Sequence, residues 1–224
     1  YLKQKYSHPD ISKVKRIGID EFAVRKGHVY KTIVVDLDTG RIIYVGEGKG
    51  SDSLTAFWKR IKRKKIKIEL VTSDMSAAYI SSVKENAPDA IHVYDKFHVV
   101  EKVTEAVDKV RRSIWNQETD LEKRKVIKGS RWLLLTKDKD KFDDYAKNRL
   151  ENILQTNEPL YKAYYLREDL DQIWTQPNKE EAEKQLEYWC KRAQESKLPT
   201  MMKVANMLLG KRTGILAWHD CKVT

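Results

Sequence analysis

The sequence predicts an α/β protein: a mixed five-stranded sheet with helices, plus an all-helical insertion. Three observations predict it. Three strand-like runs follow one another on tight turns between residues 14 and 45. Helical and strand periodicities then alternate as far as Trp115. Beyond about residue 118 the strand signals stop, and residues 119–209 read as several helices. The expected organisation is a core over 1–118, a helical insertion over 119–209, and a return to the core over 210–224.

The first strand runs from Val14 to Val24, and the Gly27-His28 pair marks a turn. The second, HVYKTIVVDL over His28–Leu37, is rich in β-branched residues. Asp38-Thr39-Gly40 signals a hairpin, and Arg41–Val45 is the third strand. Over Ser51–Lys65, the residues Leu54, Phe57, Trp58 and Ile61 fall at helical spacing, with Ser51 or Ser53 placed to cap the start. Lys67–Ser73 (KIELVTS) is the fourth strand, and Ser76–Asn86 is a helix stopped before Pro88. Ala90–Tyr94 is the fifth strand. The helix from Asp95 to Trp115 then lines up Val99, Val103, Ala106, Val107, Val110 and Ile114. Asn178 and Glu181 form a capping pair ahead of an apolar face of Ala182, Leu186, Trp189 and Ala193. Trp132, Trp174 and Trp189 read as core anchors.

A meander followed by alternating helices and strands implies a mixed sheet. Strands two and three form its antiparallel edge; strands one, four and five run parallel. The simplest crossover sets strand four beside strand one, the arrangement of a ribonuclease-H-like fold.

With 224 residues and 41% hydrophobic residues, the chain can bury a core. Its net charge of +11 points to a polyanion such as nucleic acid, or to an anionic membrane face. Two cysteines, Cys190 and Cys221, exclude a disulfide scaffold and a zinc ribbon. No apolar run approaches the roughly 18 residues that span a bilayer, and no signal peptide is visible. Cytoplasmic use is therefore expected. Tyr1 in first place suggests a piece of a longer protein.

Two carboxylates stand out. Asp20 interrupts the strand-like run RIGIDEFAV, where Asp is disfavoured. Asp74 ends the fourth strand. On neighbouring parallel strands the two would lie about 5 Å apart and repel, and a divalent cation would relieve the repulsion. Oxygen-only ligands suit Mg²⁺ or Mn²⁺ and phosphoryl transfer. The alternatives are a helix-capping Asp74 and a surface-facing Asp20. Glu21 is expected on the opposite face and is left out of the site. Asp95 and His98, three residues apart, can support such a site or serve as a cap and a half-buried histidine. For phosphate binding, Lys59–Lys67 holds seven Lys or Arg among nine residues, including Lys59, Arg60, Lys62, Arg63, Lys64 and Lys65. Arg111, Arg112, Lys123–Lys125 and Lys128–Arg131 extend the basic character.

The segments GIDEFAVRKGHVYKTIVVDLDTGRIIYV, VTSDMSAAY and YDKFHVVEKV together resemble the catalytic domain of the ISL3-type insertion-sequence transposases, a group of bacterial DDE enzymes. The likeness runs from about Val14 to Val223. It implies a ribonuclease-H-like core interrupted by a helical insertion. It also implies Mg²⁺- or Mn²⁺-dependent cleavage of transposon-end DNA, then attack of the freed 3′-hydroxyl on target DNA. Such enzymes work as homo-oligomers on DNA near the bacterial nucleoid, with no membrane partner. The first two acids of the triad fall on Asp20 and Asp74, while Asp95 and His98 match a D-x-F-H element. The third acid, a Glu, is expected after the LAWHD stretch of Leu216–Asp220, and the sequence stops at Thr224. The 224 residues alone are therefore expected to be close to inactive. Two further readings are a non-catalytic DNA-binding or assembly module, and another ribonuclease-H-like nuclease such as a junction resolvase.

Overall fold

The computed structural model describes residues 9–25, 29–136 and 139–222. Its sheet holds five strands: β1 (Arg16–Arg25), β2 (Val29–Asp36), β3 (Arg41–Glu47), β4 (Leu70–Ser73) and β5 (Ile91–Tyr94). Their order is β3-β2-β1-β4-β5. The β1–β2 and β2–β3 pairs are antiparallel, while β1–β4 and β4–β5 are parallel. This is the expected mixed sheet, with the fourth strand beside the first. The turn expected at Gly27-His28 lies outside the described residues. The β2–β3 turn forms as expected: Gly40 adopts φ +68°, and its N–H donates to the Asp36 carbonyl at 2.8 Å. A left-handed residue here favours glycine. The Thr39 hydroxyl closes the turn on the Asp36 carboxylate at 2.6 Å.

One face of the sheet buries Ile17 and Ile19 of β1, Val34 of β2, Ile43 of β3 and Val71 of β4. Their partners are Phe57, Trp58 and Ile61 of α1 (Thr55–Arg63) and Tyr79 and Val83 of α2 (Ala77–Asn86). The Trp58 indole N–H donates to Ser82 Oγ at 2.8 Å and ties the two helices together. The expected cap by Ser51 or Ser53 does not form. A single 3₁₀ turn, Ser51–Leu54, precedes α1, and α1 has no side-chain cap. The Ser53 hydroxyl instead donates to the Gly50 carbonyl at 2.6 Å and meets Thr32 Oγ1 at 2.8 Å. The fourth strand is also shorter than expected, because its ladder begins at Leu70 and not at Lys67.

The second face packs against residues 217–221. Leu70 and Val93 pack with Ala217, and Leu37, Trp218 and Cys221 add partly buried surface. Two short helices, Arg212–Leu216 and Trp218–Cys221, carry these last residues. A Cβ on Gly214 would sit 2.5 Å from the Tyr94 ring, so only glycine lets this backbone approach β5 so closely.

The chain forms two compact units. One comprises the residues up to Lys96 together with those from Thr213 onward; the other is Phe97–Arg212. Sequence reading set the first boundary near 118. The difference is one helix, α3 (Lys96–Gln117), whose residues from Phe97 onward group with the helical unit.

Within the helical unit α3 buries Val99, Val103, Ala106, Val107 and Val110, as its spacing predicts. Four further helices are capped by Asp or Asn side chains: α4 (Leu121–Gly129) by Asp120, α6 (Asp144–Thr156) by Asp143, α7 (Glu158–Asp169) by Asn157 and α9 (Lys179–Glu195) by Asn178. Between α4 and α6 lies the short α5 (Arg131–Leu135), and α8 (Gln172–Thr175) separates α7 from α9. Asn178 accepts from the Glu181 N–H at 2.9 Å, half of the expected capping pair. The Glu181 carboxylate turns to Lys184 at 2.7 Å instead. Trp189 and Trp174 are core anchors, and the Trp189 indole donates to the Leu166 carbonyl at 2.6 Å. Trp132 is not an anchor: it is 55% exposed and packs at a tilt against Phe142 with ring centroids 4.6 Å apart.

Candidate active site and nucleic-acid interface

The site begins with register. In the parallel β1–β4 ladder Arg16 faces Leu70, Ile17 faces Val71 and Gly18 faces Thr72. Continued by two residues, the same register sets Asp20 level with Asp74. In the β4–β5 ladder Ser73 faces Tyr94, so the next rung pairs Asp74 with Asp95. Three aspartates thus share one level across β1, β4 and β5. Neighbouring strands lie about 4.8 Å apart, so the row spans roughly 10 Å.

Each aspartate is anchored locally. Asp20 is exposed, and its Oδ1 accepts the Glu21 N–H at 2.7 Å. The adjoining Ile17 and Ile19 are buried, so alternation turns Asp20 to the face opposite the α1–α2 core. Asp74 is half-buried and its Oδ1 accepts the Ser76 N–H at 2.9 Å. The cap of α2 is Ser76, whose Oγ accepts the Tyr79 N–H at 3.3 Å. Asp74 therefore shapes the turn before α2 while Ser76 caps the helix. The Asp95 N–H donates to the Ser73 carbonyl at 2.9 Å, which extends the β4–β5 ladder by one bond. His98 stands in the helical unit, with Nδ1 3.5 Å from Glu101 Oε2. His92 meets Ser73 Oγ at 2.8 Å, a structural contact at the end of β4.

Glu21 is the residue that sequence reasoning missed. Alternation does put it on the Ile17 and Ile19 side, as expected, yet it remains electrostatically part of the site. Burial raises its carboxyl above the usual range, and the charge of Asp74 raises it further. A hydrogen bond with Tyr79 opposes that rise, and the charge of Asp20 adds to it. Behind it the Tyr79 hydroxyl, itself raised by burial, lies 2.9 Å from Thr32 Oγ1, which donates to the Gly48 carbonyl at 2.9 Å. The readable signal was an acid continuing a buried isoleucine line.

Among the described residues, no group of three or more His, Cys, Asp or Glu side chains could hold a metal ion. The aspartate row is level but does not converge on one point.

The basic residues divide by burial. Lys59, Lys62, Arg63, Lys64 and Lys65 are exposed. Arg60 is half-buried and donates to the Pro9 carbonyl. Arg111 is a correction to the phosphate-binding set: it is 7% exposed and bound to Asp108, with Nη2 2.7 Å and Nε 2.8 Å from Oδ1. Arg112 next to it has an exposed side chain, with Nε 3.2 Å from Asp108 Oδ2. No helix among the described residues is long and apolar enough to cross a membrane.

Similarity to known proteins defines the class: a transposase. The transposase family of the ISL3 type matches residues 17–224. The chain belongs to that family. It is 36% identical over 219 residues to the transposase for insertion sequence element IS1001 of Bordetella parapertussis, covering 96% of this chain and 54% of the relative. It is 30% identical over 230 residues to the transposase for insertion sequence element IS1557 of Mycobacterium tuberculosis, covering 92% of this chain and 51% of the relative. The chain spans about half the length of the curated relatives it matches.

Proposed function

We propose that this chain carries the DNA-cutting and strand-joining core of an insertion-sequence transposase, acting on element ends and target DNA as a homo-oligomer. One observation carries the reading: the β1–β4 register, which, continued two residues past Gly18 and Thr72, sets Asp20 level with Asp74. The strand order, with its antiparallel edge and parallel centre, supports a ribonuclease-H-like core interrupted by the helical unit.

Asp20 and Asp74 are the residues to hold the metal. Their hard oxygen donors fit Mg²⁺ or Mn²⁺. Such an ion, when bound, activates a hydroxyl nucleophile and stabilises the leaving oxygen of phosphoryl transfer. The protein contributes orientation. The Ser76 N–H fixes one oxygen of Asp74, and the Glu21 N–H fixes one oxygen of Asp20. Asp95 adds negative charge at the same level and His98 remains a supporting candidate. Exposed Lys59, Lys62, Arg63, Lys64, Lys65 and Arg112 neutralise backbone phosphates. Arg60 and Arg111 serve the fold.

Calorimetry with Mn²⁺ tests the site. Binding is expected, weakened at least about tenfold by Asp20→Asn and by Asp74→Asn. Equal affinity in both variants would reject the assignment. A second reading, a DNA-binding or assembly module without catalysis, is favoured by the lack of a three-ligand group among the described residues. On that reading the variants bind DNA as the parent does, and Mn²⁺ gives no heat.

A further inference from the structure

Asp108 of α3 gathers three guanidinium groups. Arg111 holds it through two nitrogens and buries with it. Arg112 approaches through Nε at 3.2 Å, and Arg131, from the start of α5, through Nε at 3.7 Å. One carboxylate neutralises one of these cations. Arg112 and Arg131 are therefore two like charges held side by side, an arrangement that costs energy unless an anion joins it. Both have mostly exposed side chains. Among the described residues neither has another ion pair. An arginine that contacts its anchor through Nε still has guanidinium N–H donors left over, and these suit phosphate oxygens.

The surroundings favour the same ligand. A cavity of about 470 Å³ adjoins the pair, lined by Phe97, Glu101, Glu105, Arg112, Arg131 and Leu135 among others. Its two glutamates lie nearer the start of α3. Glu105 is 3.4 Å from Lys102, and Glu101 is 3.5 Å from His98. Arg112 lies seven residues beyond Glu105, roughly 10 Å along the helix. The acidic and basic ends of the cavity are thus separate. From Arg111 to Arg131 the sequence holds seven Lys or Arg against three Asp or Glu, a net positive stretch that contains both arginines.

We infer that Arg112 and Arg131, gathered by Asp108, form a clamp for a backbone phosphate of DNA on the helical unit. The inference rests on the DNA-binding reading above and adds a contact on the helical unit to the lysines of α1. The clamp reads phosphate and carries no base specificity.

Fluorescence anisotropy of the full chain with a labelled 30-base-pair duplex of arbitrary sequence, across a salt series, tests it. The double variant Arg112→Gln/Arg131→Gln is expected to bind about tenfold or more weakly near 0.1 M salt. It should also flatten the slope of log Kd against log salt by about two. The Arg112→Lys/Arg131→Lys pair should keep that slope while losing part of the affinity, since it retains charge without the guanidinium donors. The lysine pair also guards against misfolding, because it keeps the charge balance around Asp108. An unchanged slope and affinity in the glutamine pair, beside a loss in Lys59→Gln/Lys62→Gln, overturns the clamp and leaves the DNA-binding reading standing. Absence of salt-dependent binding by the parent chain overturns both.

Discussion

At the scale of single residues, Glu21 is the informative case. Its carboxyl is raised above 4.5, first by burial and then by Asp74. An acid whose folded pKa lies above its unfolded value releases its proton less readily in the native state. Its ionisation therefore opposes folding. Stability is unaffected well below 4.5, falls as pH climbs from there toward the raised folded value, and stays level above it. Glu21→Gln removes this dependence. In chelator, the melting temperature of Glu21→Gln minus that of the parent should rise as pH goes from 4 to 7. A flat or falling difference would contradict the burial. The same residue marks a limit of sequence reading. Asp20 was legible because a carboxylate interrupts a strand. Glu21 was not, because strand alternation alone assigns it to the far face and says nothing of the Asp74 turn or Tyr79. Arg111 failed for a similar reason: its partner Asp108 sits three residues away on a helix face, and only packing reveals that both are buried.

At the scale of elements, the meander, the parallel centre and the strand order followed from turn residues and alternating periodicity. Boundaries were less legible. Lys67–Glu69 continues a strand-like pattern, but the ladder starts only at Leu70, where partners exist on both sides. The start of α1 was misread because Ser53 spends its hydroxyl on Gly50 and Thr32. Gly214 supplies an element-level prediction. Alanine is the better helix former by about 1 kcal/mol. Against that, a new Cβ would meet the Tyr94 ring at 2.5 Å, and overpacking costs about 1–3 kcal/mol. Sterics win, and Gly214→Ala should lower the melting temperature by a few degrees. In a Tyr94→Ala background the penalty should largely vanish, a coupling that a double-mutant cycle reads directly.

At the scale of the whole molecule, charge and site geometry lead to opposite expectations for binding and for turnover. A net charge of +11 favours DNA association, and that association should weaken steeply with salt. Turnover needs ligands that converge, and although Asp20, Asp74 and Asp95 share one level, no group of three or more His, Cys, Asp or Glu side chains among the described residues could hold a metal ion. The 224-residue chain should therefore bind element-end DNA yet nick it poorly with Mg²⁺, as a supercoiled-plasmid relaxation assay would report. Efficient nicking that Asp20→Asn abolishes would contradict this.

The closure of the second sheet face by Ala217 and Trp218 has a consequence for biosynthesis. The strands are translated before the segment that seals Leu70 and Val93, with the whole of Phe97–Arg212 between them. At about 5–20 residues per second the ribosome needs roughly 6–23 seconds to make that intervening stretch. For that interval the nascent sheet leaves a greasy side open, and a chaperone that shields it would raise the yield of correctly closed protein.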